Sequence, residues 1–292
     1  MAILNFGSIN VDTVYRLPHI PAPGETISAS ARTQGIGGKG LNQSIAIARA
    51  GGKVRHFGAV NSIDRWIISE AEKAGVDTGG ILVRENEPTG QAVVMLAADG
   101  ENTIVLSPGA NDGFRDDEID AAVRSMRRGD WLLIQNETNG IDTAVEAARN
   151  FGLRVVFAAA PFSAEIVVPQ LAKVDLLALN HIEFAQLQDA LGPDRGDRLP
   201  ALLVTKGAAG AEYRNGDVVE SVTTYRVDAV DTTGAGDTFL GYFISGVDQG
   251  CTVKQSLEMA SAASALQVTR PGAVSAIPTY VEVEVFMRVQ NA

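Results

Sequence analysis

The stretch of this sequence with the clearest chemical reading is Asp231-Thr232-Thr233-Gly234-Ala235-Gly236-Asp237. Gly234 and Gly236 allow a sharp turn and leave room for a ligand. The residues that follow, Thr238 to Val247, have a helical pattern. A glycine turn that opens a helix presents free N–H groups and the positive end of the helix dipole to an anion. A carboxylate at Asp237 would repel that anion. The combination makes sense if Asp237 takes the proton of an incoming hydroxyl while the glycine amides hold a transferring phosphoryl group. The alternative is that Asp237 merely caps the helix, as Asp often does.

A second cluster is Gly35-Ile36-Gly37-Gly38-Lys39-Gly40, followed by Asn42. Its Gly-x-Gly-x-x-Gly spacing matches the dinucleotide fingerprint. That fingerprint should follow the first strand of a βαβ unit, with an acid roughly twenty positions on. Here it follows a proline-rich loop, and the strand-like run Val54 to Val60 ends without an acid. Leu41 stands where a P-loop needs Ser or Thr to meet Mg²⁺, so that motif fails too. Glycines beside Lys39 and Asn42 suit close backbone approach to a polyhydroxy ligand, or else only form the entry to a helix. The third feature, Asn10-Val11-Asp12, follows the first strand. It has the groups to grip adjacent hydroxyls, or to make an ordinary Asx turn.

These residues need a frame. Short apolar runs at Ile3–Phe6, Val54–Val60, Trp131–Gln135, Arg154–Ala158, Leu176–Leu179 and Ala201–Thr205 alternate with helical segments such as Leu41–Ala50 and Trp66–Ala74. That alternation predicts a parallel sheet covered on both faces by helices. Asp99-Gly100 between Gln91–Ala98 and Asn102–Ser107 predicts a hairpin. With an exposed strand over Ile27–Gln34, it forms a small β extension. The expected architecture is one α/β domain with a β lid.

Composition narrows the function classes. The chain has 292 residues, 46% hydrophobic and 20% charged, and a net charge of −11. The acidic balance argues against nucleic acid as a main partner. No apolar run is long enough to cross a bilayer. The start of the chain has no basic region or cleavage site of a secretory signal, and a single cysteine, Cys251, excludes an internal disulfide or multi-cysteine metal site. These features fit a reducing cytoplasm. His19, His56 and His181 lack metal-ligand spacing and read as surface or satisfied structural residues. Trp66 and Trp131 read as core, and Cys251 as an inert thiol.

Taken in order, several segments resemble the ribokinase branch of the PfkB sugar-kinase family. They are Gly7-Ser8-Ile9-Asn10-Val11-Asp12, Pro21-Ala22-Pro23-Gly24-Glu25-Thr26, Gly37-Gly38-Lys39-Gly40-Leu41-Asn42-Gln43, Pro108-Gly109-Ala110-Asn111 and Gln135-Asn136-Glu137. Further on come Asn180-His181-Ile182-Glu183, Val204-Thr205-Lys206-Gly207, the Gly234-Ala235-Gly236-Asp237 stretch and Val268-Thr269-Arg270-Pro271-Gly272-Ala273. The resemblance implies a three-layer α/β/α sandwich with a mostly parallel sheet and a small β lid. The core would be 1–12, 35–87 and 108–292, and the lid 13–34 and 88–107. It implies ATP-dependent phosphorylation of a primary hydroxyl, with D-ribose the favoured substrate. The rivals are another sugar, a sugar acid or a nucleoside and, from a different class, a non-catalytic sugar sensor.

The resemblance also assigns residues. Asn10, Asp12, Gly38, Lys39, Gly40, Asn42 and Glu137 would hold the sugar. Asp237 would be the base, with Gly234, Ala235 and Gly236 as the anion hole. Asn180, Thr205, Lys206, Gly207, Gly210 and Gly236 would lie along ATP, and Glu183 would help organise Mg²⁺ through water. Asp231, Thr233, Gln267, Arg270 and Gly272 would surround a monovalent cation, K⁺, mostly with backbone oxygens. Two departures stand out: Ala276 replaces a Ser frequent at that place, and the stretch from Glu183 to Thr205 is shorter than usual. Residues 184–200 leave room for one short helix. A homodimer formed through the lid is implied as well.

Overall fold

The computed structural model describes residues 1–192 and 199–290. The strands are β1 (Ile3–Phe6), β2 (Asn10–Leu17), β3 (Ala31–Gly37), β4 (Val54–Asn61), β5 (Asp77–Arg84), β6 (Gly90–Ala97) and β7 (Asn102–Ser107). They continue with β8 (Trp131–Gln135), β9 (Arg154–Ala158), β10 (Leu176–Asn180), β11 (Ala201–Thr205), β12 (Ala211–Asn215) and β13 (Val218–Val222). The helices are α1 (Lys39–Arg49), α2 (Trp66–Lys73), α3 (Asp116–Arg124), α4 (Ile141–Phe151), α5 (Ala164–Val167), α6 (His181–Leu191), α7 (Ala235–Asp248), α8 (Val253–Val268) and α9 (Tyr280–Gln290).

The large sheet has the order β13-β12-β11-β10-β9-β8-β1-β4-β5. Seven strands run parallel, and the β12–β13 hairpin adds an antiparallel edge. From β1 the chain first moves outward through β4 and β5. It then returns to β8 and proceeds the other way. The order therefore reverses between β1 and β8, and in such sheets ligands bind beyond the strand ends at that point.

Alternation along the central strands explains why both faces are covered. Ile3 and Leu133 face a cluster built with Leu41, Ile45, Phe239, Phe243 and Leu257. Leu4, Phe6, Leu132 and Ile134 face the opposite cluster, with Ile119, Val145, Ala148 and Leu187. Helices α1, α7 and α8 thus cover one face, and α3, α4 and α6 the other. This is a three-layer α/β/α sandwich.

A separate four-stranded sheet, β3-β2-β6-β7, is assembled from two chain excursions. The pairing of Asn10 with both Gly37 and Gly90 puts Asn10, Asp12 and Gly37 within its strands. The small sheet therefore begins before residue 13 and runs past residue 34, because its hydrogen-bond ladder starts immediately after the turn at 7–9.

Other differences from the sequence reading have physical causes. The strand expected over Ile27–Gln34 is β3, which starts at Ala31 and runs into the glycine cluster. The β12–β13 hairpin was not anticipated, although Asn215-Gly216 between β-prone runs is its signal, and Gly216 has φ 57°. Trp66 is not a core residue. It is 40% exposed at the start of α2, with its indole N–H on Asp64 at 3.4 Å. Trp131 is buried, under the Arg154 guanidinium. Of the expected helix over 184–200, the part up to Leu191 belongs to α6, and positions 193–198 lie outside the described residues. Among the described residues no helix is long and apolar enough to cross a membrane.

Candidate active site

Two helices start at the sheet's reversal point, and each is opened by a glycine. Gly234 is left-handed (φ 73°) and leads into α7. Asp237, in the first turn, is 9% exposed. Its Oδ2 accepts the Asn42 side-chain amide at 3.0 Å and its Oδ1 that of Gln43 at 2.9 Å. Asp237 is therefore not a helix cap: its carboxylate is held by side chains of α1. The N–H groups of Gly234, Gly236 and Asp237 have no protein partner among the described residues, whereas that of Ala235 donates to Thr232. A Cβ at Gly236 would meet nothing within 4 Å. Open donors beside open space make a place for an anion.

The start of α1 is built differently. Gly38 has φ 89°, and a Cβ there would lie 2.7 Å from the Ser8 carbonyl. A Cβ on Gly40 would lie 2.5 Å from the backbone of Gly7 and Ser8. These glycines answer to the chain's own backbone and not to close approach of a ligand. The first amides of α1 are likewise spoken for. Lys39 N–H donates to Glu137 Oε2 at 3.1 Å, Gly40 N–H to Ser8 Oγ at 3.2 Å and Leu41 N–H to the Ser8 carbonyl at 3.0 Å. Ser8 Oγ donates to the same Glu137 oxygen at 2.5 Å. Glu137 is thus a built-in anion at this helix start.

Around the cleft, one lysine faces four carboxylates. Burial works against the charge on Lys39, but Asp237, Glu137, Glu183 and Asp12 outweigh it and hold its ammonium above its usual range. Asp12 is pushed up to about 6, first by burial and then by Glu137, with Lys39 opposing. Its Oδ1 is buried without a partner, an acceptor aimed at nothing in the protein. Burial also raises Asp237, against the pull of Lys39 and of the Asn42 and Gln43 donors. Asn10 Oδ1 accepts from Asn111, which also grips the backbone N–H and carbonyl of Ile9.

Sequence reasoning assigned no role to Gln43, Gln135, Asn5 or Asn111. Gln43 Oε1 accepts from Gln135 Nε2, which also donates to Asn5 Oδ1, both at 2.8 Å. Asn5 Nδ2 donates to the Gly40 carbonyl and to Ser44 Oγ, and Ser44 bonds His56 Nδ1. All these side chains are buried. Gln43 turns its NH₂ end to Asp237 and its oxygen to Gln135, whose NH₂ group donates both ways, so Asn5 must point its own NH₂ end onward to Gly40 and Ser44. His56 closes the chain as a neutral imidazole, since burial pushes it down to about 3. It is the structural histidine the sequence suggested, but only half satisfied: Nδ1 bonds Ser44, and Nε2 is buried without a partner among the described residues.

On the far side of Asp237 the cleft is lined by Lys39, Asn180, Glu183, Thr205, Thr232 and Gly234 to Gly236, among others. Asn180 Oδ1 accepts the N–H groups of Ile182 and Glu183, and Glu183 accepts that of Asn180 at 2.8 Å. The Asn-x-x-Glu pair is therefore a capping box that fixes the start of α6. Of the remaining expected nucleotide residues, Thr205 lines the cleft. Lys206 turns to Glu212 at 2.8 Å. Gly207 and Gly210, both at positive φ, shape the following turn.

The loop before α7 is tied by Asp231, whose two oxygens accept N–H groups of Thr233 and Gly272, each at 2.9 Å. Gln267 donates its side-chain amide to the Thr233 carbonyl at 2.9 Å. Arg270 pairs with Glu282 of α9. Among the described residues no group of three or more His, Cys, Asp or Glu is placed to hold a metal ion.

A reversed parallel sheet, a second small sheet and an acidic cleft ending on a glycine-opened helix define a sugar-kinase architecture. The chain belongs to the pfkB family carbohydrate kinases, which it matches over residues 2–280. It is 32% identical to the ribokinase of Haemophilus influenzae over 299 residues, covering 96% of each chain. It also superposes on the ribokinase from Thermotoga maritima with a TM-score of 0.87, at 31% identity and 99% coverage of both chains. The Arabidopsis thaliana ribokinase complexed with ribose and ATP gives a TM-score of 0.86 at 28% identity, again covering 99% of each.

Proposed function

We propose that this chain transfers the γ-phosphoryl group of ATP to the primary hydroxyl of D-ribose, giving ribose 5-phosphate, with Asp237 as the base. The observation that carries the reading is the start of α7. There a buried carboxylate, oriented by two amide donors, stands beside unpartnered N–H groups that face open space. A binding protein has no need of a base in that position. In this reading Asn10, Asp12, Asn42 and Glu137 grip the sugar hydroxyls. Gly38 and Gly40 shape the wall and Lys39 spans the two halves of the cleft. Asp237 takes the hydroxyl proton as the amides of Gly234 and Gly236 absorb charge on the phosphoryl oxygens.

Nucleotide phosphates entering a cleft with one lysine among four carboxylates need further positive charge. Mg²⁺ bound to the phosphates, with Glu183 beside its waters, would neutralise them, and such ions keep most of their water. Asn180 and Thr205 line the cleft where the nucleotide would lie. The small sheet acts as a lid that excludes water from the reaction. Its edge strand β7 carries Ile104, Val105 and Leu106, each at least 55% exposed. A second copy of the chain covering this edge gives a homodimer. A cytoplasmic location completes the reading.

The test is ADP release measured across pentoses, hexoses, sugar acids and nucleosides, alongside Asp237→Asn. Ribose-dependent turnover that collapses in the variant is expected. Turnover with a different acceptor alone would overturn the choice of sugar. Sugar binding without any turnover would overturn the enzymatic reading.

A further inference from the structure

Resemblance to ribokinases implies a monovalent cation gathered by Asp231, Thr233, Gln267, Arg270 and Gly272. Such an ion needs oxygen atoms that converge and are free to bind it. Several of the oxygens in that set are already engaged here, although the backbone carbonyls of Asp231, Arg270 and Gly272 accept no hydrogen bond among the described residues. The Thr233 carbonyl is capped by Gln267 Nε2 at 2.9 Å, and the same NH₂ group lies 3.5 Å from the Ala273 carbonyl. The Gln267 carbonyl accepts the N–H of Arg270 at 2.9 Å. Both Asp231 oxygens hold backbone N–H groups, and the Arg270 side chain is turned to Glu282. Ala276 adds no hydroxyl.

Gln267 is fully buried, so its amide orientation is set by these neighbours and not by water. An amide oxygen facing the Thr233 and Ala273 carbonyls would be repelled, whereas the NH₂ end can donate to them, with Oε1 left buried and without a partner among the described residues. That group also packs under the anion hole, 3.1 Å from where a Cβ on Gly234 would lie. We propose that the Gln267 side-chain amide takes the place of the monovalent cation. It bridges the 231–234 turn to the 270–273 loop, so the N–H groups at the start of α7 are held in place without a bound ion. The proposal rests on the phosphoryl-transfer reading only for what those N–H groups do.

The experiment compares KCl with tetramethylammonium chloride at equal ionic strength, reading both the thermal unfolding midpoint without substrates and the kinase rate. The midpoint tests the loop even if the acceptor sugar has been misassigned. Wild type should give the same midpoint and the same rate in both salts. Gln267→Ala opens the position and removes the bridge. Its rate in tetramethylammonium should fall between about twofold and tenfold, the scale of one hydrogen bond, and K⁺ should restore it. Gln267→Glu keeps the shape but replaces the donor by a charge, so its midpoint should rise with K⁺. Should Gln267→Ala not fold, Gln267→Glu carries the same test. A wild-type midpoint and rate that rise specifically with K⁺ would overturn the proposal. So would variants that match wild type in both salts.

Discussion

Helices α1 and α7 both begin at a glycine with positive φ, both face the cleft, and both point their dipoles toward it, yet they are finished in opposite ways. At α1 the chain supplies its own anion, Glu137, and fills the space beside Gly38 and Gly40 with the backbone of residues 7–10. At α7 the N–H groups are left open and the space beside Gly236 is empty. A glycine-rich helix start is thus not one device. Its use depends on whether the protein has already provided what the N–H groups attract.

The sharpest way to separate the two ends is to remove the group that makes α7 reactive. Asp237→Asn should lower kcat by about 10²- to 10⁴-fold, the usual worth of a positioned base, with little change in sugar KM. Steady-state kinetics that lose KM and keep kcat would mean that Asp237 only binds. Next come matched glycine substitutions. Gly236→Ala puts a methyl where the phosphoryl group would sit. It should cost about 10²-fold in kcat while stability stays within about 0.5 kcal/mol. Gly40→Ala drives a methyl into Gly7 and Ser8, at 2.5 Å, and should destabilise by about 1–3 kcal/mol. Urea titrations beside rate measurements read both, and similar signatures at the two sites would erase the distinction.

A smaller effect tests how α1 serves α7. Gln43→Met keeps the volume but removes a donor that lowers the Asp237 pKa. The acidic limb of the kcat/KM profile should therefore move to higher pH, a shift that mere loss of packing would not produce. Smaller still is the titration of Asp12. Its carboxyl is held up from 3.8 to about 6 in the folded chain. Across that window the folded state retains a proton that the unfolded chain has lost. Its contribution to stability therefore falls as pH rises from the lower value to the higher. If the carboxylate accepts sugar hydroxyls, sugar KM should rise as pH drops below about 6. Asp12→Asn should then flatten that dependence.

Much of this comparison could be read from the sequence, because its determinants are local. The Gly234-Ala235-Gly236-Asp237 turn, the helix after Lys39 and the parallel alternation are each contained within a few residues. What was not legible depends on partners far apart in the chain. Nothing near Gln43 says that it meets Asp237 on one side and Gln135 on the other. Nor does the neighbourhood of Gly40 reveal that Gly7 lies against it. Asn111 acts on Ile9 and Asn10 across the lid junction, so its role appears only once the two sheets are joined. Trp66 misled for the converse reason: apolar neighbours in sequence did not bring burial.

The small sheet has one more consequence, which concerns how the molecule is assembled. Its strands come from two separate hairpin-like excursions, β2–β3 and β6–β7, joined by the parallel pairing of β2 with β6. Two-stranded units are at best marginal alone, and this pairing is long-range in the chain. Neither excursion has a reason to hold its shape before β1, β4 and β5 have brought their roots together. The small sheet is therefore expected to form after the core beneath it, and hydrogen exchange should show β2 and β6 opening before β1 and β8. On that order the apolar edge at β7 would stay exposed while the small sheet assembles, so the last step of folding would also be the one most open to pairing with a wrong strand.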